Sequence, residues 1–465
     1  MNISEKKSVA LALMNFFIAL LSVLKNKALY IILGASGYGL YGVFISAMSM
    51  VQSLGGTTLD YYITKRVSRR LSIKFDSGAH GRTLNAVYFI IALVTLLQFF
   101  SVLAIYSFKD DDFVFIALYA TISIFSFLIT SGILSYTKAK LKTFMYAVSN
   151  VISVTVNVTT LVLLLYVLGE DGLYLSIAIA TIAQSLTTIL ISKYKHLVEE
   201  LLVKFEYNKF TVRSIKVSLP KSYTTLINTG SQFIIISVIG YFGSIEEVGI
   251  YFAINGIVSQ VSSTAIVVSG GSYYPELVGL IDTGGKRALN RMVWSQTALI
   301  TLFMFSFVSL ILINSELILS LLFDDSMGRY AYILQLMLFL AFFACIKHPV
   351  ELVLYAINNP THFLKVTSLS AFLNILIGSV VYIEFGLRGL ALALILNSIV
   401  VSIYILTIVN KNTEVDQNKE LMFYFLTAIL FLTAVIKLNI GFIVVAFMTI
   451  IMFTWYLKRL RLDKL

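Results

Sequence analysis

The sequence contains very little cysteine, proline, histidine and charge. Its 465 residues include 1 Cys, 4 Pro and 4 His, and only 13% of them are charged. The single cysteine, Cys345, excludes a disulfide framework, and no Cys/His spacing typical of zinc sites occurs. A phosphate-binding glycine loop is also missing, so nothing indicates an ATPase. Soluble domains carry about 25% charged residues, so this composition is typical of a protein built for lipid.

Long apolar runs dominate what is present. Hydrophobic residues make up 58% of the chain, and the mean hydropathy is +0.89. The N-terminus is basic and then apolar without a small-residue cleavage site, so we interpret it as an uncleaved first span. The sequence predicts an all-α integral membrane protein with about fourteen transmembrane helices. The predicted spans are approximately 8–33, 38–62, 83–107, 113–136, 143–168, 170–192, 214–240, 246–273, 289–315, 329–356, 361–383, 387–410, 420–437 and 440–457.

The positive charges fall mainly on one side of these spans. Of the 35 Lys and Arg residues, 28 lie in loops of one side, including both termini, and four lie in loops of the other. Because cytoplasmic loops are enriched in Lys and Arg, both termini are expected inside the cell. The net charge of +11 therefore reports topology, and no nucleic-acid partner is expected.

A weak internal repeat divides the chain. Gly39-Leu-Tyr41 follows the first span and Gly249-Ile-Tyr251 follows the seventh, while Gly172 and Gly389 open the sixth and twelfth. Repeats that start on the same side are parallel, as in transporters whose halves rock about a central cavity. We therefore expect two six-helix bundles, residues 1–205 and 206–411, followed by an extra two-helix hairpin, residues 412–465.

Two lysines lie inside the first predicted span. Counted from Leu33, Lys27 is roughly 9 Å deep and Lys25 roughly 12 Å deep, and charges at such depths tend to mark a substrate or ion path. The alternative is a helix that ends near Leu24, from which both lysines reach the headgroups. The six apolar residues after Lys27 favour the first interpretation, so both lysines are candidate substrate-binding residues.

A second charged group lies in the tenth predicted span. Lys347 is roughly 15 Å from the inner end of that span, which is about mid-bilayer. It is a third candidate for binding an anionic substrate, although Lys347 and Glu351, at i and i+4, could instead neutralise one another. His348 and Glu351 are candidates for proton or ion coupling, whereas a packed, hydrogen-bonded histidine is the alternative. Pro349 is expected to kink this helix.

Five uncharged polar residues complete the candidate site. They lie within the second, seventh and eighth spans, and they are Gln52, Asn228, Gln232, Asn255 and Gln260. Amide side chains could hydrogen-bond sugar hydroxyls, although contacts between helices are their commoner use in membranes. No metal site or cofactor is expected.

Several motifs resemble the bacterial polysaccharide flippases of the multidrug/oligosaccharidyl-lipid/polysaccharide exporter superfamily. They include the loop from Leu33 to Tyr41, the seventh span with Leu219-Pro220 and Ile239–Gly243, and Tyr273-Tyr274-Pro275-Glu276-Leu277. The resemblance implies two bundles around a central cavity that opens alternately to each side. The implied substrate is an undecaprenyl-diphosphate-linked oligosaccharide, such as an O-antigen or capsule unit. Polysaccharide polymerase and chain-length machinery are the implied partners. Asn228 and Gln232 stand in the span where many relatives carry an acidic residue.

Two other functions are less well supported. A drug or cation antiporter of the same fold would need carboxylates within its first or seventh span, where this chain has lysines and amides. A membrane polymerase would need a large outer loop with catalytic carboxylates, but all predicted outer loops are short. The sequence therefore predicts a transporter rather than an enzyme.

Overall fold

The described part of the chain is built from helices. The computed structural model describes residues 3–71, 113–139, 143–192, 209–268, 286–356 and 360–413, together with residues 273, 277, 280 and 281. In these ranges every regular element is helical, as long apolar runs predict. The predicted spans 83–107, 420–437 and 440–457 lie outside the described residues. So do residues 193–208, almost all of the predicted hairpin 412–465, and Tyr274-Pro275-Glu276.

The helices are numbered in chain order. The stretch Ile3–Leu71 is broken at Gly34 into α1 (3–33) and α2 (35–71). It is followed by α3 (Phe113–Ala139), α4 (Thr143–Leu168), α5 (Leu173–Ile191), α6 (Lys209–Phe242), α7 (Ile245–Val268), α8 (Lys286–Ile313), the short α9 (Ser315–Leu322), a 3₁₀ turn (Asp325–Tyr330) and α10 (Ala331–Ala356). The last stretch, Pro360–Thr413, is broken at Gly386 into α11 (360–385) and α12 (387–413).

Eight helical segments of the described chain are long and apolar enough to cross a membrane. Two of them, Met14–Ser53 and His362–Val409, each contain a pair of helices. Every predicted span within the described ranges corresponds to a helix, although α7, which begins with Glu246 and Glu247, is not one of the eight. The protein is therefore a multi-pass membrane protein. The α9 helix and the 3₁₀ turn were not predicted.

The chain reverses direction at Gly34 and at Gly386. In a straight helix Lys25 and Tyr41 would be ~24 Å apart along the axis, yet the Lys25 ammonium lies 5.8 Å from the centroid of the Tyr41 ring. Likewise, the Asn397 side chain donates a hydrogen bond to the Ser370 carbonyl at 3.0 Å. Both broken stretches are thus helical hairpins, and the predicted loop from Leu33 to Tyr41 is a turn at Gly34 that is followed directly by helix.

Three turns share one glycine pattern. Gly34, Gly169 and Gly386 have φ of 68°, 67° and 63°, a region that side chains with a Cβ rarely adopt. Each is followed three residues later by a second glycine, at Gly37, Gly172 and Gly389. A Cβ on that second glycine would collide with the residue that precedes the first, such as Leu168 in the α4–α5 turn. The α4–α5 and α11–α12 turns occupy equivalent positions in the predicted repeat.

The chain forms two compact units, Met1–Ser237 and Val238–Leu465. In the first, the α1–α2 hairpin packs against α3 and α4, which both pack against α5. In the second, α10 is central and contacts α7, α8, α9 and the α11–α12 hairpin. The division between these units falls within α6, whereas the predicted boundary at residue 205 lies outside the described residues and stays a prediction.

Candidate functional site

Both lysines of the first span lie inside a continuous helix. The α1 helix runs through Lys25 and Lys27 without interruption until Gly34. Leu29 and Leu33, which follow the lysines, are buried in the core of the first unit. The alternative in which the helix ends near Leu24 is therefore wrong, whereas the depth of the two lysines in the membrane stays a prediction.

The two lysines lie on different faces of α1. Residues two apart on a helix do not face the same way, whereas residues four apart do. Lys25 is one turn from the fully buried Leu29, so it lies on the packed face. Lys27 is one turn from Ile31, which is 62% exposed, so it lies on the exposed apolar face. Both side chains are half-buried. Only Lys25 is therefore directed towards the interior of its unit.

A tyrosine of the neighbouring helix holds the Lys25 ammonium. Its Nζ lies 5.8 Å from the centroid of the Tyr41 ring on α2, within the range of a cation–π interaction. Tyr41 itself stacks on Tyr38 with a centroid distance of 5.8 Å. Sequence reasoning missed Tyr41 as a contact of Lys25 because the contact requires the reversal at Gly34.

Polar residues of α6 are accessible on one side of the helix. Asn228 and Gln232 are both exposed and one turn apart, so they share a face. Elsewhere on α6, the Thr229 hydroxyl donates a hydrogen bond to the Ser53 hydroxyl of α2 at 3.1 Å. Exposed amides in a membrane span favour a polar cavity over lipid, because lipid offers them no hydrogen bonds. Gln52, which precedes Ser53, is half-buried.

From Leu336 onwards, the described side chains of α10 are buried except for one stripe. Its partly exposed residues include Leu340, Ala344, Lys347, His348 and Glu351, which recur at helical spacing along one face. The remaining faces pack against neighbouring helices of the second unit. All three predicted charged or titratable residues of this helix thus lie together on its one accessible side.

Glu351 pairs with His348 rather than with Lys347. His348 Nδ1 lies 4.0 Å from Glu351 Oε2, and the two side chains are 22% and 23% exposed. Within the described chain no ion pair joins Lys347 to Glu351, so the structure does not form the i,i+4 pair that was the alternative to substrate binding by Lys347. The i,i+3 partner is the closer one, which leaves the Lys347 ammonium without that carboxylate.

Two contacts fix the middle of α10 to its surroundings. The Tyr273 hydroxyl donates a hydrogen bond to the Pro349 carbonyl at 3.1 Å, and the Cys345 thiol lies 3.7 Å from the Ser262 carbonyl of α7. Pro349 lacks the backbone N–H that would donate to the Cys345 carbonyl, whereas Tyr273 donates to the carbonyl of Pro349 itself, so this hydroxyl is an additional link to α10 and not a replacement for the missing bond. Tyr273 was predicted only as part of a motif. On α7, Asn255 and Gln260 are half-buried.

The structure therefore groups the candidate residues by unit. Lys25 lies beside Tyr41 in the first unit, where Gln52, Asn228 and Gln232 also lie, and Lys27 points elsewhere. Lys347, His348 and Glu351 form one stripe in the second unit, which also contains Asn255 and Gln260. Polar residues on accessible helix faces within apolar spans define a multi-pass membrane protein with the features of a transporter.

Comparison with solved structures identifies this architecture. The chain resembles the lipid II flippase MurJ in an inward closed conformation, with a TM-score of 0.70 and 15% identity over 99% of each chain. It also resembles an inward-facing multidrug resistance MATE family transporter of the MOP superfamily, with a TM-score of 0.70 and 14% identity over 87% of this chain and 98% of that one. A Vibrio cholerae MATE transporter matches with a TM-score of 0.61 and 15% identity, over 90% of this chain and 100% of that chain. The chain thus shares the fold of these flippase and transporter structures.

A family comparison gives the more specific assignment. Residues 4–281 match the family described as polysaccharide biosynthesis protein. The match covers more than half of the sequence, and the chain belongs to this family. None of the curated protein sequences matches it.

Proposed function

We propose that the protein moves undecaprenyl-diphosphate-linked oligosaccharide units from the cytoplasmic to the outer leaflet of the bacterial cytoplasmic membrane. The observation that carries this proposal is the Lys25 ammonium, held inside the packed first unit more than two helical turns below the Gly34 turn. Membership of the polysaccharide biosynthesis family supports the glycan part of the substrate. The MurJ-like fold supports the lipid part.

Charge complementarity supports an anionic substrate. A lysine within a membrane span costs a few kcal/mol, so its presence there favours a role in binding a negative charge. Lys25 in the first unit and Lys347 in the second each supply an ammonium with several donors for phosphate oxygens. The exposed amides of Asn228 and Gln232 are suited to sugar hydroxyls, and Gln52, Asn255 and Gln260 are further candidates.

Translocation in this proposal proceeds by alternating access. The headgroup binds in a cavity that opens first to the cytoplasm and then to the outer side. An ion gradient drives the cycle, and the adjacent His348 and Glu351 on the accessible stripe of α10 are the groups that exchange the coupling ion. The delivered units serve O-antigen or capsule synthesis, with polymerase and chain-length proteins as downstream partners.

An antiporter that exports organic cations is the second candidate. The half-buried Glu351 favours it, because a membrane carboxylate attracts a cation. Lys347 and His348, however, lie on the same stripe as Glu351, and the segment Met14–Ser53 contains two lysines and no carboxylate. A positive surplus of this kind favours the anionic lipid.

Complementation of a flippase-deficient strain tests the proposal. Wild type is expected to restore surface polysaccharide when its glycan unit is matched, whereas Lys25→Ala and Lys347→Ala are expected to lose it at unchanged membrane levels. Two matched controls are Lys27→Ala, on the opposite face of α1, and Arg388→Ala, an exposed cation 5.7 Å from the Tyr332 ring. Full activity of both Lys25→Ala and Lys347→Ala would refute the cationic site. Failure of wild type with the matched unit would favour the antiporter.

A further inference from the structure

The ring that contacts Lys25 belongs to a closed aromatic cluster of the α1–α2 hairpin. Tyr41 is only 3% exposed and Tyr38 is fully buried. Tyr38 stacks on Tyr41 at 25° between ring planes, and Tyr30 meets Tyr38 edge-on at 5.7 Å between centroids. Because the cluster spans both helices of the hairpin, packing fixes the position of the Tyr41 ring. It is too buried to contact a sugar itself.

A lysine at this depth has an alternative conformation. Its four-carbon stem allows the ammonium to extend along the helix towards the headgroups, where water solvates it. The electron-rich face of a buried tyrosine attracts the same ammonium electrostatically, and most strongly where water is excluded. The ring therefore opposes the outward conformation and keeps the charge at the level of the hairpin interior.

We propose that Tyr41 is a positioning residue that holds the Lys25 ammonium where it binds the diphosphate of the lipid substrate. This inference rests on the function proposed above and adds the group that fixes its cationic anchor. An ammonium that contacts a ring through one side keeps other N–H donors for phosphate oxygens. The inference also gives a function to the tyrosine of the Gly39-Leu-Tyr41 motif, which the substrate model alone leaves unused.

The test varies the ring's electrostatics without changing its size. Full-length protein in detergent is assayed for binding of undecaprenyl diphosphate, with Tyr41 replaced by Phe and then by mono-, di- and trifluorinated phenylalanines. Tyr41→Phe is expected to bind within about two-fold of wild type, and affinity then falls stepwise to about ten-fold weaker, as the ring face loses its negative potential. Lys25→Arg, which keeps a cation, is expected to retain the dependence on the ring.

Three controls separate this role from packing. Phe44→Leu removes a buried ring one turn further along α2, which contacts the Tyr174 ring at 4.9 Å between centroids, and this variant is expected to leave affinity unchanged. In a Lys25→Met background the fluorination series is expected to be flat, because the cation that senses the ring is gone. Lys27→Met is the matched lysine control, and in this variant affinity is expected to fall with ring fluorination as it does in wild type.

Each outcome has a defined consequence. Equal affinities across the series, in a protein whose binding depends on Lys25, overturn the positioning role alone. A slope that persists in Lys25→Met also overturns it, because the ring would then act through something else. Absence of undecaprenyl diphosphate binding by wild type, or binding that is independent of Lys25, overturns this inference together with the cationic site on which it rests.

Discussion

Replacing Gly386 by alanine isolates the energetic cost of the α11–α12 turn. Gly386 has φ 63° and ψ −155°, a region occupied almost only by glycine. A Cβ added there would meet no atom within 4 Å, so the substitution adds backbone strain and no steric overlap. Such strain costs about 1–3 kcal/mol. A cost of that size raises the population of opened states about five- to 150-fold.

The single cysteine provides the assay for this prediction. Cys345 is buried on α10, which packs against the α11–α12 hairpin, so its alkylation by a small maleimide requires opening of the second unit. Gly386→Ala is expected to accelerate labelling of Cys345 about five- to 150-fold, in proportion to the population of opened states. Gly240→Ala is the matched control, because that helical glycine has ordinary contact with Val248 at 3.5 Å and alanine favours helix by about 1 kcal/mol. Equal labelling rates for the two variants would refute the assignment of strain to the turn.

Three further substitutions in the second unit use the same labelling assay. Tyr382→Phe removes the 2.6 Å hydrogen bond to Glu247 and is expected to destabilise the unit by about 0.5–1.5 kcal/mol, whereas no change would mean that water replaces the bond. Asn397→Val is expected to cost about 0.6–2 kcal/mol, because it removes the polar contacts that join the two helices of the hairpin. Gly389→Ala places a Cβ 2.6 Å from the Val381 carbonyl oxygen and is expected to destabilise the unit more than either of the other two substitutions. Labelling of Cys345 as slow as in Gly240→Ala would contradict that steric conflict.

Helix positions were predictable because membrane thickness fixes their length. A span needs about 20 apolar residues, so α3, α4 and α8 could be located from hydropathy to within a few residues. The α9 helix was missed for the same reason. Its eight residues, Ser315–Leu322, are far too few to cross a membrane, and the predicted ninth span simply ended at residue 315.

The candidate site was predictable in its members but less so in their contacts. Charge inside apolar spans is visible in sequence, which identified Lys25 and Lys347. The separation of Lys25 from Lys27 also follows from helical geometry, since residues two apart point in different directions. The partner of Glu351 cannot be derived from helical geometry. His348 at i−3 and Lys347 at i−4 are both within reach of its carboxylate, and only side-chain conformation decides between them.

Motion of the first unit is constrained by the shortness of its first turn. A single residue, Gly34, separates α1 from α2. This connection is too short for one helix to slide along the other, so relative motion of the two helices is limited to tilting about Gly34 as the pivot. A tilt of ~10° about that pivot would move the far end of a 20-residue arm by ~5 Å, while residues beside the pivot hardly move. Lys25 and Tyr41 lie nine and seven residues from Gly34, about 10–14 Å along their helices, so the same tilt would move them less than half as far as the end of the arm. A substrate bound at this contact would thus be displaced less than the distant ends of the helices.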